Sequence, residues 1–158
     1  MAGPLSGLLG STLYSDFVVF NASTTPTNSV TGGWYNFYTG GTVNSIMSTT
    51  STTVGLRAPY WCDGVLETNN NINMIGAKFI QIQVSSSGVS PPHFYASFGW
   101  ARSSGGYDGF SLGNPSDANY SIRTHTIPVT GAGNGKIRLY VTNSDAGFVT
   151  LHSIVLKY

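Results

Sequence analysis

The chain has 158 residues, the usual size of one domain, and 41% of them are hydrophobic and 13% aromatic, which is enough to build a core. Charged residues make up only 8%, and the six carboxylates disfavour chemistry that needs several placed acids and bases. The net charge of +1, without a run of lysines or arginines, excludes the basic patch of a nucleic-acid-binding protein.

Residues that favour β-strands recur along the whole chain between short turn clusters. In chain order, the predicted strands are 13–22, 33–39, 42–48, 53–56, 60–67, 72–85, 93–101, 107–112, 119–129, 136–143 and 147–157. Good helix formers are scarce, and no window has the i, i+3, i+4, i+7 apolar spacing of a helix. The sequence therefore predicts an all-β protein.

Apolar and polar side chains alternate in several of these strands. Ile80, Ile82 and Val84 are separated by glutamines in strand 72–85, and strand 136–143 alternates in the same way. This pattern is typical of antiparallel strands that bury one face and expose the other.

Two segments are instead apolar on both faces, 17–20 near the start and 154–156 near the end. Such strands lie centrally in a core or are covered by another subunit, and first and last strands of this kind often lie side by side. We predict an antiparallel β-sandwich of about eight to ten strands, arranged as a jelly roll. Residues 13–158 would form this single domain and residues 1–12 an N-terminal arm. The last strands would form a hairpin with its turn at 143–147.

The start of the chain and its cysteine content bear on the compartment. Residues 1–11 lack a basic region and a long apolar run, so we expect no signal peptide. No stretch approaches the roughly 20 apolar residues of a membrane span, so we expect no membrane insertion. Cys62 is the single cysteine and cannot form an internal disulfide. These features indicate synthesis in a cytoplasm, where virion components are also made.

The sequence offers weak candidates for catalysis. Asp63 and Glu67 lie on one face of a predicted strand at about 13 Å if extended, whereas glycoside hydrolysis needs carboxyl groups roughly 5–9 Å apart. A Ser-His-acid triad would use one of the abundant serines, but no Gly-x-Ser-x-Gly elbow is present. The three candidate histidines are His93, His125 and His152. We expect a protein that is not an enzyme.

Signals for metals and reactive thiols are weak as well. The sequence has no Cys-x-x-Cys, His-x-His or Asp-x-Asp-x-Asp-Gly pattern. Asn143 and Asp145 fit an ordinary turn, and a structural Ca²⁺ at this turn is the alternative. Cys62 lacks the strongly basic surroundings of a reactive thiol and fits a buried, inert position. We expect no cofactor and no catalytic or cofactor-binding metal.

The aromatic residues are the best candidates for contact with a partner. Most rings in a chain of this kind belong to the core, and the remainder can anchor a subunit interface or stack on a neutral sugar. The candidates for such an interface or glycan contact are Trp34, Tyr38, Trp61, Trp100 and Tyr107.

Residues 135–158 resemble the last two strands of jelly-roll modules, a fold shared by carbohydrate-binding modules and viral structural domains. With few charges and strands rich in Gly, Ser, Thr and Asn, the chain resembles phage virion structural proteins, namely head decoration (cement) proteins and the tips of fibres or spikes. The resemblance implies a homo-oligomer, commonly a trimer, with capsid or tail proteins as partners.

These observations support two hypotheses about function. The first is a non-catalytic virion protein, a jelly-roll subunit that decorates a phage capsid or forms a fibre tip. Its arm, with Leu5, Leu8 and Leu9, would order when docked on a neighbour. The alternative is a carbohydrate-binding module or lectin that uses exposed aromatic side chains, with a cell-surface glycan as its partner.

Overall fold

The computed structural model describes residues 14–41, 45–59, 61–89, 94–114, 119–145 and 147–158, with the backbone alone described at 38–41. The regular elements in these residues are twelve β-strands, more than the expected eight to ten. They are β1 (Asp16–Phe20), β2 (Trp34–Gly41), β3 (Ile46–Thr49), β4 (Val54–Arg57), β5 (Cys62–Thr68), β6 (Ile72–Asn73), β7 (Phe79–Ser87), β8 (Tyr95–Arg102), β9 (Tyr107–Gly113), β10 (Tyr120–Pro128), β11 (Ala132–Thr142) and β12 (Phe148–Lys157). The all-β prediction is confirmed. This part of the chain holds no helix long and apolar enough to span a membrane.

The strands form two antiparallel sheets. The first has the order β10-β7-β12-β4-β3, with β1 also paired to β12, and the second has the order β2-β5-β11-β8-β9, with β6 paired to β11. From β4 onward the chain passes repeatedly between the sheets, so that β4-β12-β7-β10 belongs to one layer and β5-β11-β8-β9 to the other. This interleaved order is that of a jelly roll. The predicted sandwich is confirmed, and β1 lies beside the last strand as expected.

The predicted C-terminal hairpin is wrong. β11 pairs with β5, β6 and β8 in the second sheet, whereas β12 pairs with β1, β4 and β7 in the first. The connecting residues Asn143 and Asp145 have left-handed φ angles of 49° and 53°. The backbone N–H groups of Asn143 and Ser144 donate to the carbonyls of Cys62 and Ala58, at 3.1 and 2.8 Å. The link is therefore tied to the loop before β5 and directs the chain across the sandwich.

The core lies between the two sheets and follows the predicted alternation. Ile80, Ile82 and Val84 of β7 are fully buried, and so are the three apolar residues of β11 that alternate with its polar ones. The two-sided apolar segment near the start behaves differently, because Val19 and Phe20 are buried while the residues before them remain exposed. The predicted arm with Leu5, Leu8 and Leu9 lies outside the described residues.

Candidate functional site

The outer face of the second sheet carries a cross-strand row of side chains from five strands. Tyr35 lies opposite Glu67, Glu67 opposite Arg138, Arg138 opposite Gly99 and Gly99 opposite Gly109. Residues in register share a face of a sheet. Trp34, Leu66, Ile137 and Phe98 are neighbours of these residues along four of the strands and belong to the core, so this row faces outward.

A second row runs beside the first. Phe37, Val65, Tyr140, Ser97 and Ser111 are in register across the same five strands. In both rows the large side chains come from β2, β5 and β11, whereas β8 and β9 contribute glycines and serines. The face therefore has aromatic rings on one side and a low floor on the other.

Part of this floor is the base of a groove of about 260 Å³, which we call the outer-face groove. Tyr107 and Tyr140 flank it, and Ser97, Gly99 and Gly109 form its floor. A Cβ at Gly109 would find the Phe98 carbonyl oxygen at 3.8 Å as its nearest neighbour, so the space above this glycine is open. A ligand in the groove can approach the backbone closely.

A buried carboxylate organises the aromatic side of the groove. Glu67 is 3% exposed, and its carboxylate accepts hydrogen bonds from the Tyr35 hydroxyl and from Nε of Arg138. The Arg138 guanidinium carbon lies 3.7 Å from the centroid of the Tyr107 ring, a cation–π contact. The negative charge of Glu67 is thus balanced by an arginine that also supports the ring at the groove wall.

The remaining charges near the groove are also paired. Asp108 lines the groove, and its carboxylate lies 3.7 Å from Nε of Arg102. Each carboxylate of the groove region therefore has an arginine partner, and the groove presents rings and hydrogen-bonding groups without a large net charge.

The phenols of Tyr35 and Tyr107, which lie beside the Glu67–Arg138 ion pair, stay protonated at neutral pH. The hydrogen bond to Glu67 raises the pKa of Tyr35, and burial raises it further. Burial is also the main cause that raises the pKa of Tyr107. A protonated phenol both donates and accepts hydrogen bonds. Tyr35 uses its donor on Glu67, whereas Tyr107 lines the groove and suits a hydroxyl-rich ligand.

The structure corrects two of the predicted contact residues. Trp34 and Trp100 are 6% and 5% exposed and belong to the core. The ring of Trp34 packs edge-on against Phe20 with centroids 5.7 Å apart, and that of Trp100 lies 6.4 Å from Phe98. Neither ring is presented to a ligand, because both strands turn the tryptophan face toward the opposite sheet.

The other predicted aromatics have different positions. Tyr107 is 36% exposed and lines the outer-face groove. Its role as a contact residue stays a prediction, and the groove is the place where the contact would occur. Trp61 is 56% exposed with a left-handed φ of 59°, and it is not among the residues that line the groove. The side chain of Tyr38 lies outside the described residues.

The prediction omitted Tyr35, Arg138 and Tyr140 as site residues and treated Glu67 only as a candidate acid. The alternation in β11 already placed Arg138 and Tyr140 on the polar face of that strand. Recognising the site also required the pairing of β11 with β5 and β8, which joins residues distant in sequence.

Glu67 is the candidate acid that lies beside the groove, whereas the described histidine and cysteine candidates lie apart from it. His152 is on the first sheet, where Nε2 is 2.8 Å from the Ser85 hydroxyl and burial lowers the histidine pKa. Cys62 is buried, and burial raises the pKa of its thiol, as in an inert cysteine. His125 packs against the Phe110 ring, and His93 lies outside the described residues. Within the described ranges, no group of three or more His, Cys, Asp or Glu could hold a metal ion.

Comparisons with known proteins identify the fold of this chain. No protein-family model matches the sequence, and no curated protein matches it. A mutant family 29 carbohydrate-binding module in complex with cellulohexaose is similar, with a TM-score of 0.58, 10% identity and 92% of each chain covered. Another mutant of that module, in complex with mannohexaose, has a TM-score of 0.57, 10% identity and coverage of 91% of this chain and 92% of that one.

A phage protein has the same kind of domain. The enzymatically active domain of tailspike protein 4 of bacteriophage CBA120 matches with a TM-score of 0.51 and 15% identity, over 88% of this chain and 22% of the tailspike chain. The shared feature is the fold. At these identities the comparisons show a jelly-roll-like β-sandwich, as in the carbohydrate-binding modules, and the resemblance to head decoration proteins stays a prediction.

Proposed function

We propose that this protein is a non-catalytic glycan-binding module and that the outer-face groove binds a neutral sugar. The observation that carries the proposal is the groove itself, in which Tyr107 and Tyr140 flank a floor of glycine and serine. The fold supports it as well, since similar structures are carbohydrate-binding modules solved with cellulohexaose or mannohexaose.

The chemistry of the groove suits a sugar ring. The C–H face of a pyranose packs on an aromatic ring, and its hydroxyls need donors and acceptors at the rim. Tyr107 and Tyr140 provide the rings, and Ser97 and Asp108 provide polar groups. Paired charges disfavour a strongly acidic or basic ligand, so a neutral glycan is the class that fits.

The groove is also organised before any ligand binds. Arg138 is held by the Glu67 carboxylate on one side and stacks on the Tyr107 ring on the other. A side chain already fixed in its binding position loses little conformational entropy on association. The ion pair therefore acts by positioning the groove wall.

The test is a glycan array followed by calorimetric titration of the retained glycans. Tyr107→Ala and Tyr140→Ala should each weaken binding by about tenfold or more, a loss near 1.4 kcal/mol. Tyr14→Ala is the matched control, because Tyr14 is 38% exposed and packs against Phe79 of the first sheet. No glycan retained by the parent protein, or parent-like binding by Tyr107→Ala, would contradict the proposal.

We propose as a second candidate that this module is a subunit of a phage particle, located in the virion and assembled as a homo-oligomer. The similarity to a tailspike domain supports this function. Val18 of β1 and Ile122 of β10, which are 38% and 56% exposed and do not line the outer-face groove, provide apolar surface of the kind that subunit contacts cover. Light scattering tests the assembly, for which we expect a dimer or trimer. A monomer at all concentrations would contradict this function and leave glycan binding intact.

A further inference from the structure

A second groove lies where β1, the segment 70–75 and the C-terminal residue meet. Its volume is about 690 Å³, more than twice that of the outer-face groove, and the two grooves share no lining residue. Apolar side chains form part of its wall, with Phe17 44% and Ile75 60% exposed, and the ring of Tyr158 forms another part. We call this cavity the β1 groove.

Three asparagines line the β1 groove and keep hydrogen-bonding capacity. Nδ2 of Asn70 donates to the Ser29 carbonyl at 3.0 Å, which leaves its Oδ1 as an acceptor. Oδ1 of Asn73 accepts from the Ile75 N–H at 3.2 Å, which leaves its Nδ2 as a donor. Asn71 is exposed, and within the described part of the chain its amide makes no hydrogen bond. The groove therefore offers donors and acceptors beside its apolar surfaces.

The walls of the β1 groove are held in place by hydrogen bonds between distant segments. The Tyr158 hydroxyl donates to the Asn73 carbonyl at 2.8 Å, and the Tyr158 N–H donates to the Ser15 carbonyl at 3.1 Å. The Asn70 N–H donates to the Thr31 carbonyl at 2.9 Å. These bonds pre-organise the cavity, so that binding requires little ordering of its walls.

The charge of the cavity restricts what it can bind. None of the described residues that line it has a charged side chain. An aromatic and aliphatic surface combined with amide groups and no charged side chain matches the faces and hydroxyls of a neutral carbohydrate. We infer that the β1 groove is a second binding site, for a neutral oligosaccharide. The inference takes only the class of ligand from the proposed function, because the residues that line the β1 groove are different from those that line the outer-face groove.

The amides favour a sugar over an apolar protein partner. A partner that covered Phe17 and Ile75 with apolar side chains would also cover the Asn71 amide and Nδ2 of Asn73, for which the described residues supply no hydrogen-bond partner. Polar groups buried without a hydrogen-bond partner destabilise a complex. Sugar hydroxyls satisfy the same groups, which is why a carbohydrate is the better occupant.

The experiment uses cellohexaose and mannohexaose as probes and follows the asparagine side-chain amide signals by NMR. In Tyr107→Ala, where the outer-face groove is disabled, we expect the amide signals of Asn71 and Asn73 to shift on titration. Adding Asn71→Ala or Phe17→Ala to that variant should weaken the remaining binding by about tenfold. Gln83→Ala, which changes an exposed amide side chain of β7 outside the groove, is the control.

The outcomes separate the two sites. If Tyr107→Ala binds neither hexasaccharide and the amide signals do not move, the second site is overturned while the proposed function stands. If binding survives Tyr107→Ala unchanged and is lost with Asn71→Ala, the proposed function fails and the β1 groove is the binding site. A dimer that covers the groove and dissociates in Phe17→Asp would overturn the carbohydrate inference.

Discussion

Glu67 and Arg138 form the most deeply placed charge pair of the candidate site. The carboxylate is 3% exposed beneath aromatic rings, and the guanidinium beside it also contacts Tyr107. A buried ion pair contributes little to net stability when compared with apolar residues, but loss of one partner is costly because the other charge stays behind. At this position the pair orients the groove wall, and its removal should affect both stability and binding.

Replacement of Glu67 by glutamine tests this role. Glu67→Gln leaves the Arg138 charge uncompensated, and we expect a loss of about 1–3 kcal/mol in the free energy of unfolding, measured by urea denaturation. Asp108→Asn is the control, since its ion pair with Arg102 is exposed and should change stability by less than about 1 kcal/mol. Equal effects of the two substitutions would show that Glu67 is not a buried partner.

His152 makes stability depend on pH on the acid side. Burial lowers its pKa below the ordinary value of 6.5, so the folded state binds fewer protons than the unfolded chain in this window. The stabilisation is complete above pH 6.5 and decreases as the pH falls from 6.5 toward the lowered folded-state pKa. His152→Gln should reduce this loss in urea denaturation at several pH values. Ser85→Ala, which removes the hydrogen-bond partner and no titrating imidazole, should retain it.

At the scale of the strand, the alternation of side chains decides which rings a ligand can reach. In β2, Trp34 points into the core and Tyr35 points outward. The period of two along a strand says only that these neighbours lie on opposite faces. Alternation alone does not determine which of these two faces the first sheet covers. In the structure, Trp34 belongs to the core between the sheets, and Tyr35 lies opposite Glu67 in the row that faces outward.

The floor of the outer-face groove gives a prediction for β9. Gly109→Val places a side chain in open space above the floor, and we expect at least about tenfold weaker glycan binding. The fold should be retained, because valine favours strands. Ser111→Val on the same face of the same strand is the matched control, since Ser111 is not among the residues that line the groove. Equal losses in both variants would argue against a ligand at the floor.

At the scale of the whole molecule, the passage of the chain from β11 to β12 joins the two sheets. Gly147 lies at the end of this passage, where an added Cβ would be 2.4 Å from backbone atoms of Ser87, Gly88 and Val89. A methyl group cannot fit at that distance unless the backbone of the neighbouring segment moves. The crossing between sheets therefore depends on the absence of a side chain at one position.

Gly147→Ala should destabilise the protein by about 1–3 kcal/mol, as expected for overpacking against rigid atoms. Urea denaturation measures the effect. Gly109→Ala is the control, because the nearest atom to its Cβ would be the Phe98 carbonyl oxygen at 3.8 Å, an ordinary contact distance, and its denaturation midpoint should stay near that of the parent. A parent-like midpoint for Gly147→Ala would show that the crossing tolerates a side chain.

Local patterns were sufficient to predict the all-β fold, the sandwich and the approximate positions of most strands. The period of two is visible in a single strand, and turn residues mark where strands end. Strand pairing decided three further features. It placed β12 in the first sheet, it set which face of β2 points outward, and it brought Tyr35, Glu67 and Arg138 together. Such pairing joins residues far apart in sequence, and a local pattern does not record which partner a strand will choose.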